Sequence, residues 1–135
     1  MIENIVYHKD IIAIIIRSDY SKNGIHFFTP ENFSQQLAYM SRPCGYKISP
    51  HLHNEVRREV FRTQEVLFIR SGKVKINLYS NQKKLISFKV LEQGDVILLA
   101  SGGHELEFLE ESQIIEVKQG PYTGDQDKTR FDPMG

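Results

Sequence analysis

The sequence predicts an all-β protein whose antiparallel strands form a barrel. Isoleucine, valine, phenylalanine and tyrosine recur in short runs throughout the 135 residues. Glycine- and asparagine-containing turns separate these runs at close spacing, which is typical of sandwiches and barrels. Only residues 29–33 resemble a helix start, as a cap followed by a single turn, and this segment is too short to alter the fold.

The strand pattern is clearest around one hairpin. Ser71-Gly72 separates two alternating segments, which is a strong turn signal, and Val74, Ile76 and Leu78 share one face of the second segment. The six apolar residues 11–16 predict a buried strand, because the run is too short for a membrane span or a signal sequence. The predicted strands cover residues 2–7, 11–17, 25–28, 35–42, 46–53, 60–70, 73–79, 85–90, 95–99, 104–109 and 113–119.

Length and composition predict one domain over residues 1–135, with a core at about 35–119 and a polar tail at 120–135. The 17 basic and 17 acidic residues give a formal net charge of zero, so no basic excess favours nucleic acid. Nothing in the chain favours a membrane partner. The single cysteine, Cys44, excludes an intrachain disulfide and fits a cytoplasmic location.

Two histidines have the spacing of a metal site. His51 and His53 flank Leu52, and positions i and i+2 of a strand share a face, so both imidazoles would point to the same side. Imidazole is the commonest transition-metal ligand. The alternative is a pair of exposed strand histidines.

Glu65 and His104 each lead a predicted apolar face. Glu65 is followed by Leu67 on its face, and His104 by Leu106. A buried carboxylate needs a partner, which a metal ion would supply. The alternatives are a solvated glutamate at the barrel mouth and a hydrogen-bonded core histidine.

The motifs that carry these residues resemble those of the cupins. The first cupin motif is a glycine, five residues, HxH, a short gap, a glutamate, six residues and a glycine. The second runs from a glycine through a proline and a glycine to a histidine. The matching positions, spread over residues 40–118, are Gly45, His51, His53, Glu65 and Gly72, then Gly94, Ala100, Gly102 and His104. The resemblance implies a jelly-roll barrel (a double-stranded β-helix) with His51, His53, Glu65 and His104 as metal ligands.

Three features depart from the cupin pattern. Eleven residues separate His53 from Glu65, and this insertion brings Glu55 and Glu59 as rival carboxylate ligands. Ala100 replaces the motif proline. One residue, Gly103, separates Gly102 from His104, where the motif has two. A shift of one residue turns a strand's side chains to the opposite face, unless the flexible pair Gly102-Gly103 compensates for it.

The implied cofactor is a divalent ion: zinc, iron, manganese, nickel or cobalt. The expected ligand is a small polar or anionic molecule, with a sugar-related compound as one option. A metal-dependent enzyme, such as an isomerase, epimerase or dioxygenase, would use Glu65 or Glu59 as its proton shuttle. The alternatives are a non-catalytic ligand-binding or sensor barrel and a structural barrel with a vestigial site.

Further residues are candidates for ligand contact. Arg57, Arg58 and Arg62 would clamp an anion if the insertion rims the pocket; otherwise they belong to a solvated hairpin. Tyr122 would either cover the barrel mouth or pack outside it. The resemblance and the zero net charge also predict a homodimer, formed through the early strands.

Overall fold

The structure, a computed structural model, describes residues 1–133; the last two residues of the predicted tail lie outside this range. It confirms an all-β protein, with no α-helix in residues 1–133. One short 3-10 helix, Gly124–Asp127, follows the last strand. The strands are β1 Ile2–Tyr7, β2 Asp10–Ile16, β3 Gly24–Phe27, β4 Ala38–Ser41, β5 Glu65–Ser71, β6 Lys73–Tyr79, β7 Leu85–Glu92, β8 Val96–Leu99, β9 Gly103–Phe108 and β10 Gln113–Lys118.

The strands form three antiparallel sheets. The largest has the order β1-β2-β8-β5-β10, the second the order β7-β6-β9, and β3 pairs with β4. Within residues 1–133 no strand ladder joins one sheet to another. Strands β9 and β10 are therefore both edge strands of their sheets.

The main core lies between the five-stranded and the three-stranded sheet. Leu67 and Ile69 of β5 pack in one cluster with Ile76 and Leu78 of β6, and all four side chains are at most 2% exposed. The alternation along β5 and β6 places these residues on the facing sides of their sheets. Burial of this apolar surface is the main stabilising contribution to the fold.

Strand β2 is buried on both faces. Ala13 and Ile15 face the main core, while Ile14 and Ile16 belong to a second cluster with Leu37. The segment between β2 and β4 covers this outer side of the five-stranded sheet. The prediction that the apolar run 11–16 forms a buried strand is confirmed.

The largest error in the predicted strands concerns the segment before β5. Residues 46–53 form no strand, and the strand predicted from residue 60 begins only at Glu65. Residues 42–63, hereafter the arm, are exposed at every position and contain no strand or helix. Alternation alone cannot make a strand here, because no neighbouring strand within the described chain supplies hydrogen-bond partners.

Two smaller elements also differ from the predictions. Strand β4 covers only four residues of the predicted 35–42. The predicted helical turn at 29–33 is a simple turn, closed by a 3.1 Å hydrogen bond from the Phe33 amide to the Pro30 carbonyl. No helix in residues 1–133 has the length and apolarity that a membrane crossing requires.

The tail packs back on the three-stranded sheet. Phe131 lies edge-on to Tyr79, with ring centroids 5.2 Å apart, and a Cβ atom on Gly103 would lie 3.0 Å from its ring. The absence of a side chain at Gly103 therefore makes room for Phe131. Thr63 Oγ1 donates to Asp127 Oδ1 at 2.5 Å and fixes the 3-10 helix beside the start of β5.

Candidate functional site

Glu65 and His104 meet at one end of the main core, from opposite sheets. Glu65 is the first residue of β5 and shares its face with Leu67. His104 pairs in register with Leu78 of β6 and shares its face with Leu106, which packs on the core. The expectation of an apolar inward face is therefore confirmed for Glu65, whereas on the face of His104 Leu106 packs on the core and Phe108 is 59% exposed.

A hydrogen bond joins the two side chains. His104 Nε2 lies 2.9 Å from Glu65 Oε1, and the side chains are 35% and 12% exposed, respectively. The bond from His104 lowers the pKa of the Glu65 carboxyl and outweighs burial, which acts in the opposite direction. Glu65 is thus held as a carboxylate at the edge of the core.

The turn at Gly102 sets the direction in which the chain enters His104. Gly102 has φ +73°, and a Cβ atom there would lie 2.1 Å from the Tyr79 carbonyl oxygen. Only glycine fits this left-handed, closely packed position. Strand β9 starts directly after this turn, and His104 then shares the face of Leu106.

Lys118 is the direct cross-strand neighbour of Glu65 on β10. Its Nζ atom lies 4.0 Å from Glu65 Oε2 and 3.3 Å from Glu116 Oε2. The ion pair with Glu116 raises the pKa of the Lys118 ammonium. A fixed positive charge therefore lies next to the Glu65–His104 pair.

A cleft of about 560 Å³ opens beside this pair, between the sheet ends and the tail. The tail contributes Lys128, Arg130 and Phe131 to its wall, and Tyr79 of β6 also lines it. The Tyr79 hydroxyl donates to Glu105 Oε1 at 3.3 Å. The cleft thus combines cations, carboxylates and one aromatic wall, which suits a small polar ligand.

The other two predicted metal ligands, His51 and His53, lie together on the exposed arm. Their ring centroids are 5.4 Å apart, and the His51 Nδ1–H donates to the Ser49 carbonyl at 2.8 Å. The structure brings them to each other but not to Glu65 and His104. Within residues 1–133 no three histidine, cysteine or acidic side chains are close enough to hold one ion.

The Glu65–His104 pair fits part of a metal site by its donor chemistry. Carboxylate oxygen and imidazole nitrogen both bind divalent transition metals, at about 2.0–2.2 Å. Neighbouring ligands of an octahedral ion are then about 3 Å apart. The 2.9 Å between Nε2 and Oε1 is close to that separation but is also an ordinary hydrogen-bond distance, so an ion would replace the proton that joins the two atoms.

The remaining predicted site residues lie outside the cleft. Arg57 and Arg58 are exposed on the arm, as is the rival ligand Glu55. Tyr122 is 90% exposed and does not line the cleft. Two further candidates, Glu59 and Arg62, line a separate shallow groove beside residues 30–34.

Sequence reasoning missed the cleft residues Lys118, Lys128, Arg130 and Phe131. Lys118 could have been found from strand alternation, since it continues the inward face of Ile114. Phe131 stands alone as a large apolar residue in a polar tail, which is a weak signal that the tail packs back. No pattern in the tail indicates where Lys128 and Arg130 lie.

The resemblance to the cupins rests on the motif residues alone. No family model, curated protein or solved structure matches this chain.

Proposed function

We propose that the protein is a metal-binding cupin, with a jelly-roll arrangement of its sheets, that acts on a small polar or anionic molecule in the cleft beside Glu65 and His104. The observation that carries the proposal is the 2.9 Å approach of these two side chains from opposite sheets. Strand pairing fixes both positions independently of any ligand.

A divalent ion would be held by Glu65 and His104, with His51 and His53 completing its protein ligands. When bound, such an ion supplies Lewis acidity toward a carbonyl or hydroxyl oxygen. Because fewer than six protein ligands are present, positions remain for water or for the ligand.

The chain's own residues suit an anionic group on that ligand. Lys118 projects from β10, and Lys128 and Arg130 line the cleft from the tail. Cationic side chains form charge-assisted hydrogen bonds with carboxylate or phosphate. The Glu65 carboxylate would act as the proton acceptor for a bound molecule.

The first test is metal content. Protein purified without a histidine tag should bind about one divalent ion per chain, measured by elemental analysis and by titration with Co²⁺. Glu65→Gln and His104→Ala should each lose the ion, because each removes a ligand. Glu107→Ala is the matched control, since Glu107 lies on β9 but on the face opposite to His104.

Retention of the ion in both ligand variants, or no stoichiometric ion with any of the five metals, would reject the metal site. The ligand class is then tested by calorimetric titration with phosphorylated sugars, nucleotide sugars and small keto acids.

The second candidate is a non-catalytic ligand-binding or sensor barrel. The observation in its favour is the separation of His51 and His53 from the cleft, whose cations can bind an anion without a metal. Anion binding that persists in a chelator, with no turnover of any bound compound, supports this alternative.

A further inference from the structure

We propose that the arm of one copy docks on strands β9 and β10 of a second copy, so that His51 and His53 of the arm complete the metal site of the partner. This inference rests on the proposed metal site and names the partner that the site needs. It starts from the finding that the chain presents the four predicted ligands as two separate pairs.

The arm carries apolar surface that its own chain does not cover. Large side chains are exposed along its length, and Leu52, between the two histidines, is 81% exposed. Six large apolar side chains exposed within one segment of 22 residues favour an interaction site over a free surface. The other members are Tyr46, Ile48, Val56, Val60 and Phe61.

The receiving surface is the pair of open edges at β9 and β10. Each is the last strand of its sheet, so its outer backbone groups have no strand partner within residues 1–133. Exposed apolar side chains accompany these edges: Phe108, Leu109, Ile115 and Val117. An extended segment can add to such an edge as a further strand.

Charge favours the same pairing. The arm has five basic and two acidic side chains, a net charge of +3. Residues 103–118, which include both edge strands, have five acidic side chains and one lysine, a net charge of −4. Complementary charge steers two surfaces together and fixes their orientation.

The arm is long enough to reach a second copy. It has 22 residues, and a loop of that length extended out and back reaches about 35 Å. A domain of 135 residues has a radius of gyration of only about 14 Å. The arm is therefore long enough for His51 and His53 to contact a second copy of the chain.

The direction of the arm favours docking on a second copy over folding back onto the cleft of its own chain. Its last residues, 59–62, line a groove with Ile11 and Phe33. Both belong to the cluster on the outer side of the five-stranded sheet, away from the core face that carries His104. A twofold axis would let the two copies exchange arms and form two equivalent sites.

The test is complementation between two inactive sites. One variant carries His51→Ala and His53→Ala, and the other carries Glu65→Gln and His104→Ala. Each alone should bind no Co²⁺. Co-expressed with a different non-histidine tag on each copy, the two should yield a mixed dimer that binds about one Co²⁺ per two chains, because one arm and one cleft remain intact.

Loss of the ion in each variant without recovery in the mixed dimer would overturn the exchange and leave the proposed metal site standing. No ion in the wild-type protein would overturn both. Failure to isolate any mixed dimer would also overturn the exchange.

A second measurement locates the dimer contact. Leu52→Asp should shift the molar mass by light scattering from dimer to monomer and weaken Co²⁺ binding at least 10-fold. Val6→Asp is the matched control, because Val6 is 52% exposed on β1, at the opposite edge of the same sheet as β10. Dissociation by Val6→Asp but not by Leu52→Asp would place the contact on the early strands and reject the arm.

Discussion

Glu65 and His104 lie on strands whose neighbours are paired and buried, whereas His51 and His53 lie on an arm that is exposed throughout. Both regions contain metal-binding side-chain types at motif spacing. The difference lies in what surrounds them: register with Lys118 and Leu78 fixes the first pair, and within the described chain no strand fixes the second. A motif residue is therefore positioned by its own chain where its strand has at least one hydrogen-bonded neighbour.

The strongest test of this comparison substitutes one glycine in each region. Gly102 and Gly45 both have a left-handed backbone, with φ of +73° and +86°. Gly102→Ala should lower the free energy of unfolding by about 3 kcal/mol or more, because its Cβ atom would collide with the Tyr79 carbonyl oxygen. Urea unfolding followed by circular dichroism measures the loss.

Gly45→Ala is the counterpart in the arm. A Cβ atom there meets nothing within 4 Å, so only the backbone preference, about 1 kcal/mol, is lost. Equal losses in the two variants would mean that the arm is packed as tightly as the turn before His104.

The contrast between the paired strands and the exposed arm also explains which parts of the fold the sequence predicts. Alternation around Leu67, Ile76 and Leu106 correctly predicts inward faces, because burial on one side of a sheet imposes a period of two. The run at 11–16 correctly predicts a buried strand. Both are local patterns that the core enforces.

The errors come from contacts that no local pattern encodes. The His51–His53 spacing suits a strand, but a strand also needs a neighbour, and the sequence does not say whether one is present. The cleft cations Lys128 and Arg130 come from a tail whose path depends on Phe131 packing against Tyr79. Long-range packing of this kind has no signature in residue spacing.

A smaller effect is expected from the pH dependence of stability. Because the hydrogen bond from His104 lowers the folded-state pKa of Glu65 below its ordinary value of 4.5, Glu65 stabilises the fold above that pH. This contribution is lost as pH falls through the lowered folded-state pKa. In protein kept metal-free with a chelator, Glu65→Gln should therefore cost about 1–3 kcal/mol at pH 7 and progressively less as pH falls below 4.5.

Unfolding in urea at a series of pH values from 7 to 3 measures this convergence. Glu55→Gln in the arm is the control, since Glu55 is exposed and lies outside any strand or helix. Wild-type and Glu65→Gln curves that stay parallel over the whole range would show that the Glu65–His104 bond does not stabilise the fold.

The smallest effect on stability is expected at Lys118, where it separates a structural role from a ligand-binding one. Its side chain is 34% exposed and its Nζ atom is 4.0 Å from Glu65, so Lys118→Gln should change the free energy of unfolding by less than about 1 kcal/mol. Lys73→Gln should cost a similar amount, because Lys73 forms comparable surface ion pairs with Glu92 and Glu110. Of these two lysines only Lys118 lines the cleft, so Lys118→Gln but not Lys73→Gln should weaken the binding of inorganic phosphate several-fold in a calorimetric titration. Equal weakening by both variants would assign the effect to overall charge. Lys118 would then not contact the bound anion.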